Sequence, residues 1–285
     1  MIFWIASYPK SGNTWLRSLI STYYFTKDGE YNEKLLKKID QFPTRKYFLD
    51  FNYDPKIVGD TCKYWIKAQE KLNVDKKLKF FKTHNAFGKV NNFDFTNSEN
   101  STGCIYIVRD PRNVITSVMN HYELDEDRAF NWMTNEKQYI YDVEKVNQVG
   151  YSDFQFISSW DLNYKSWKVQ KKVRTKFIRY EDLSNQTFYV FKEIKEFINQ
   201  IIKNNEKINL EKIKRTLRST SFSKMQKKEL ENGFSEAINS QKNKNKKIVF
   251  FNLGPDNDWK KILNEKLKNK LNKKYEKQLE ELSYI

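Results

Sequence analysis

The chain has 285 residues, of which 39% are apolar, 16% aromatic and 31% charged, and its formal net charge is +16. That length suits a single α/β domain with insertions and can bury a core without staples. No apolar run reaches the ~18 residues of a spanning helix, which excludes an integral membrane segment. Two cysteines without metal-like spacing, Cys62 and Cys104, exclude a disulfide framework and fit a reducing, cytoplasmic setting. The surplus positive charge points to an anionic partner: a nucleic acid, an anionic membrane surface or a phosphorylated small molecule. Equally, Lys-rich stretches such as Lys242 to Lys247 are simply solvated. Basic residues are scattered among acids and form no continuous stripe, which argues against a nucleic-acid or membrane-surface binding protein.

In chain order, Ile2 to Ser7 reads as a buried strand. Trp15, Leu16, Leu19, Ile20 and Tyr23 then recur at helical spacing over Thr14 to Phe25. Leu78 to Lys82 is a second strand and Gly103 to Val108 a third. The third enters Arg109-Asp110-Pro111, where Pro111 fits a helix first turn and Val114, Ile115, Val118 and Met119 continue an apolar face. Thr175 to Ile178 is a fourth strand, followed by Tyr180-Glu181-Asp182-Leu183 and a helix through Phe197. Trp259 to Leu282 reads as one Lys/Glu-rich helix. Strands alternating with helices predict a parallel sheet covered on both faces. Residues 28–75 and 123–153 read as insertions over the top of the sheet, near a ligand. Most of their aromatic residues (Tyr31, Tyr47, Phe48, Phe51, Tyr64, Trp65, Trp132, Tyr139 and Tyr141) are expected to be core. No repeat or domain boundary interrupts 1–285.

Three segments carry chemistry. The first is Tyr8-Pro9-Lys10-Ser11-Gly12-Asn13-Thr14-Trp15, between a strand end and a helix start. Such a loop offers backbone N–H groups and the positive end of a helix dipole to an anion. Lys10 adds a mobile charge, and Ser11, Asn13 and Thr14 add donors. It is not the nucleotide-hydrolase loop, which needs G-x-x-x-x-G-K-S/T with a hydroxyl for Mg²⁺. Here Lys10 precedes Gly12, which argues for anion binding without a required metal and against a small-molecule kinase. The second segment is Arg109 with Ser117, eight residues later. An Arg fork and a Ser hydroxyl converge on a second phosphate, unless Arg109 pairs with a neighbour such as Asp110. The third is Phe80-Phe81-Lys82-Thr83-His84, which places His84 just past a strand, at the ligand edge of an open sheet. There it either takes a proton from an attacking hydroxyl or makes a structural hydrogen bond. The second histidine, His121, suits the structural role better.

Together these segments resemble the PAPS-dependent sulfotransferase family, PAPS being 3′-phosphoadenosine-5′-phosphosulfate. The first matches its 5′-phosphosulfate loop, Y-P-K-S-G-x-x-W, through Trp15. Arg109 and Ser117 match its 3′-phosphate motif, and Lys82-Thr83-His84 matches the place of its catalytic His. Further resemblances are Ser159-Trp160 with Trp167, where Asn163 replaces a frequent His, Tyr180-Glu181-Asp182, Thr220-Ser221-Phe222 with Met225, and Gly254 to Trp259. Asn252-Leu253 stands where the family usually has Arg-Lys, and Lys246 or Lys247 is a candidate replacement. The resemblance implies a P-loop-like parallel sheet of about five strands, flanked by helices on both faces. It implies PAPS as co-substrate, PAP as product, no metal, and a small-molecule acceptor. It implies His84 as general base, with Lys10 and Lys82 neutralising charge. Ser11 to Thr14 would hold the 5′-phosphate, while Trp15, Tyr180, Thr220, Ser221 and Phe222 would lie near adenine. Arg109, Ser117 and Asn252-Leu253-Gly254 would lie at the 3′-phosphate.

Overall fold

The computed structural model describes residues 1–147, 152–240, 242–243 and 245–285. Its central sheet is built from β1 (Ile2–Ala6), β2 (Asp40–Gln41), β3 (Lys79–Thr83), β4 (Ser101–Val108) and β5 (Thr175–Arg179). The spatial order is β2-β3-β1-β4-β5, and every neighbouring pair is parallel.

β1 lies between two neighbours and has both faces covered, so all of Ile2–Ala6 is buried. Alternation along the strands sorts these side chains into two layers. Ile2, Trp4 and Ala6 join Cys104, Tyr106 and Val108 on one face, while Phe3 and Ile5 join Ile105 and Ile107 on the other. The second face is closed by α1 (Asn13–Phe25), through Leu16, Leu19 and Ile20. The first is closed by α2 (Pro111–Tyr122) and α3 (Trp160–Val169), and by the C-terminal helix Glu265–Glu281 through Leu267, Leu271 and Tyr275. β5 leads into α4 (Tyr180–Asn185) and α5 (Thr187–Ile202), the latter packing Phe191, Ile194 and Ile198 onto the second face.

Several expectations shift. The helix expected through Phe197 is two helices separated at Gln186, and it runs on to Ile202. The tail is also two helices. Trp259–Ile262 ends at Leu263, and Asn264 then caps Glu265–Glu281, itself kinked at Tyr275, by accepting from the Leu267 amide at 2.9 Å. The cap offers the chain a stop and a restart that Lys/Glu composition hides. One edge strand of the sheet, β2, comes from the 28–75 insertion; two polar residues show no strand period. The aromatics of both insertions are mostly core. Phe48 and Trp65 are fully buried, Tyr47, Phe51, Tyr64, Trp132 and Tyr141 pack against the same cluster, and among the described residues Tyr139 is the exposed one. Residues 148–151 of the second insertion lie outside the described residues. Among the described residues, no helix is long and apolar enough to cross a membrane.

The start of α2 is fixed by charge. Asp110 accepts from the Arg112 amide at 2.9 Å and pairs with the Arg112 guanidinium at 2.8 Å, with both side chains buried. Replacing Asp110 by Ala removes the cap and strands a buried cation. Urea denaturation should show a loss of about 3–5 kcal/mol; a loss below about 1 kcal/mol, the scale of an exposed pair, would contradict this account.

Candidate active site

Parallel pairing brings the ends of β1, β3, β4 and β5 to one edge, where the loops after them surround a cavity of about 720 Å³. The loop after β1 turns through two positive-φ residues, Lys10 (66°) and Gly12 (94°). At Gly12 a side chain has no room, since a Cβ would lie 2.5 Å from the Tyr180 ring. No side chain caps α1 at Gly12, so its first N–H groups remain available. The buried Ser11 Oγ and Arg109 Nε have no partner among the described residues. An uncapped helix start beside two unpaired donors suits a phosphate-bearing ligand.

His84, just past β3, is held on both sides of its backbone. Its amide donates to Gln155 Oε1 at 2.9 Å, and its carbonyl accepts from Asn163 Nδ2 at 3.0 Å. His84 Nδ1 lies 2.8 Å from the Ser7 carbonyl oxygen, which can only accept. The proton therefore sits on Nδ1, and Nε2 keeps its lone pair. Burial, reinforced by the Lys82 charge, lowers the His84 pKa to about 3, so the ring is neutral at physiological pH.

Cations crowd the cavity. Burial lowers the Lys10 pKa to about 7, with help from Lys82 and then Arg109 against the opposing pull of Glu236. Burial likewise brings Lys82 to about 8, although Glu236 opposes the shift. Arg109 does not pair with Asp110, which Arg112 occupies. Its guanidinium lies 4.2 Å above the Tyr180 ring and donates to the carbonyls of Gly254 (3.1 Å) and Lys10 (3.4 Å). Gly254, at φ 54°, passes so close to Phe222 that a Cβ would lie 2.3 Å from its ring.

A family model described as the sulfotransferase domain matches residues 2–283. The chain belongs to the sulfotransferase family. It is therefore a transferase of sulfonate groups. It is 23% identical over 293 residues to the luciferin sulfotransferase of Photinus pyralis, covering 99% of this chain and 72% of that relative. Its fold is similar to that of a mouse sulfotransferase solved with PAP, with a TM-score of 0.58 and 19% identity over 98% of this chain and 84% of the other. It is similar also to retinol dehydratase solved with retinol and PAP, with a TM-score of 0.57 and 16% identity over 98% of this chain and 81% of the other.

In this sulfotransferase, Lys10, Gly12, Asn13, Thr14, Trp15, Lys82, His84, Arg109, Ser117, Tyr180, Phe222, Asn252, Leu253 and Gly254 all line the one cavity. Ser11, Thr220 and Ser221 do not. Ser11 is buried beneath the loop, and Ser221 stays outside the lining, with its hydroxyl 3.5 Å from that of Ser223. Thr220 acts from behind, its carbonyl accepting from Trp15 Nε1 at 3.0 Å. Of the two candidate replacements for the usual Arg-Lys, Lys247 lines the cavity and Lys246 does not. His121, expected to be structural, also faces the cavity, with its ring edge-on to Phe250.

Sequence reasoning missed Glu236, Gln155 and the positioning role of Asn163. Asn163 did carry a signal, standing where the family often has His. Glu236 carried none. Its carboxylate accepts from Thr14 Oγ1 at 2.9 Å, pairs with Arg17 at 2.6 Å and lies 4.0 Å from Lys82 Nζ. Burial opposes its charge, but Arg17 and Lys82 hold it well below the usual carboxylate range.

Replacing Gly12 by Ala forces a side chain into left-handed backbone and against Tyr180. Thermal unfolding should report a loss of about 1–3 kcal/mol. Unchanged stability would mean that the loop can turn without Gly12.

Proposed function

We propose that this sulfotransferase takes its sulfonate from PAPS and passes it to a hydroxyl or amine of a small acceptor, with His84 as general base. The observation that carries this reading is the fixed tautomer of His84, neutral and at the cavity edge, with no hydrogen bond to its Nε2 among the described residues. PAPS supplies an electrophilic sulfur with a phosphate leaving group. The acceptor oxygen or nitrogen forms a bond to sulfur while its proton passes to His84 Nε2. The sulfur–oxygen bond to the phosphate breaks, and PAP leaves with that electron pair. Lys10 and Lys82 offset the charge gathering on the leaving phosphate and the sulfonate. Ser11 to Thr14 hold the 5′-phosphate with backbone N–H groups. Trp15, Tyr180 and Phe222 face the adenine, and Arg109 and Ser117 the 3′-phosphate.

Support for the donor comes from the uncapped start of α1, the unpaired donors of Ser11 and Arg109, and the PAP bound in the two solved relatives. Retinol in one of them supports a small acceptor. The free, buried thiols of Cys62 and Cys104 fit the reducing cytoplasm in which this reading places the enzyme.

Replacing His84 by Ala should lower kcat by roughly 10²–10⁴-fold and leave PAP affinity intact, as turnover with labelled PAPS and calorimetry would measure. Near-normal turnover would remove the general base.

Lys10 predicts a pH dependence. With its pKa lowered to about 7, its charge is lost as pH rises above that value, whereas an anion favours the charged form. PAP affinity should therefore fall from pH 7 to pH 9, a window in which neutral His84 does not titrate but Lys82, brought to about 8, also loses its charge. Lys10→Arg, whose guanidinium stays charged, should make the profile shallower and leave only the part due to Lys82, and an equally steep profile in that variant would refute the assignment.

A further inference from the structure

The anion cradle already holds an anion. Thr14, in the first turn of α1, and Lys82, at the end of β3, belong to the groups assigned above to the donor's phosphosulfate. Both face the carboxylate of Glu236, at 2.9 Å and 4.0 Å. This carboxylate comes from far along the chain, in a stretch, Gly233–Phe251, whose described residues form no helix or strand beyond an isolated bridge between Asn239 and Lys247. The stretch is tied at several points: the Ser240 hydroxyl and the Lys242 amide donate to the Glu123 carboxylate, and the Phe250 and Phe251 amides donate to that of Glu229. The Ser235 amide donates to Glu33 at 2.9 Å, and Phe234 packs against Phe250 and Phe251. Arg17, the strongest partner of Glu236, does not depend on it. Arg17 Nη2 also donates to the carbonyls of Leu36 (3.1 Å) and Ile39 (2.9 Å), so this cation stays in place if the carboxylate leaves.

We propose that Glu236 is an internal occupant of the phosphosulfate cradle, which PAPS and PAP must displace in order to bind. The proposal rests on the donor reading above. A phosphate entering between Thr14 and Lys82 meets a second anion on the same donors. In a site shielded from water, two anions sharing one set of donors repel strongly. Displacement frees the Thr14 hydroxyl and Lys82 for the incoming phosphosulfate. It swings the Glu236 carboxylate away from the cavity that the acceptor must also enter. Until the donor arrives, the carboxylate keeps Lys82 and Arg17 from facing each other unscreened. Glu236 thereby sets donor affinity without touching the reacting atoms.

Calorimetry with PAP on the full chain tests this. Glu236→Gln keeps the shape and removes the charge, and it should bind PAP on the order of tenfold more tightly than the wild type, about 1.4 kcal/mol. Glu236→Asp keeps the charge but shortens the reach, and it should fall between them. Unchanged or weaker PAP binding by Glu236→Gln, with wild-type binding intact, would overturn the displacement and leave Glu236 as a support for the loop. Failure of the wild type and the variant alike to bind PAP would instead overturn the donor reading, and this proposal with it. If Glu236→Gln does not fold, a crystal structure of the wild-type PAP complex decides. The Glu236 carboxylate should then be away from Thr14 Oγ1, and its retention there beside bound PAP would refute the proposal.

Discussion

Parallel pairing of β1 with both β3 and β4 is the constraint on which the rest of this molecule depends. Parallel strands all end at the same edge, so each loop that follows them is delivered to one place. The register pairs Ile5 with Lys82 on one side and with Ile105 on the other. The loop after Ala6, the segment after Thr83 and the residue after Val108 thus arrive at similar heights. Lys10, His84 and Arg109 meet because of this, although up to 99 residues separate them. The core makes the register hard to shift, because a one-residue slip would exchange the two buried faces of β1.

The site that results is electrostatically tense. Lys10, Lys82 and Arg109 face the cavity, and Arg17 stands behind it. Desolvation and mutual repulsion pull the lysine pKa values down, and Glu236 is the carboxylate that opposes this in both. Such a cavity favours polyanions and gains most from one that brings several negative charges at once. Burial, reinforced by the Lys82 charge, keeps His84 neutral, which is the protonation state that a base requires.

Much of this was legible in the sequence because the informative residues are contiguous. The segment from Tyr8 to Trp15 holds a strand end, a turn and a helix start, so its role follows from local geometry. His84 and Arg109 each sit directly after an apolar run, and that position alone placed them at the ligand edge. The boundaries that failed were local too, but they lacked a periodic signal. Gln186 and Asn264 each divide a stretch whose composition looks continuous, and β2 is too short to alternate.

The sequence by itself determined the layered α/β sheet, the anion loop, the placed histidine and the family resemblance, because apolar periodicity and short motifs are local properties of the chain. Tertiary structure alone decided which distant groups complete the site. Asn163 holds the His84 carbonyl, Gln155 holds its amide, and His121 turns toward the cavity. Glu236 reaches Thr14 across 222 residues. These contacts join groups far apart in the chain. No local period encodes them, and they exist only once the hydrophobic layers have fixed where the helices and loops stand.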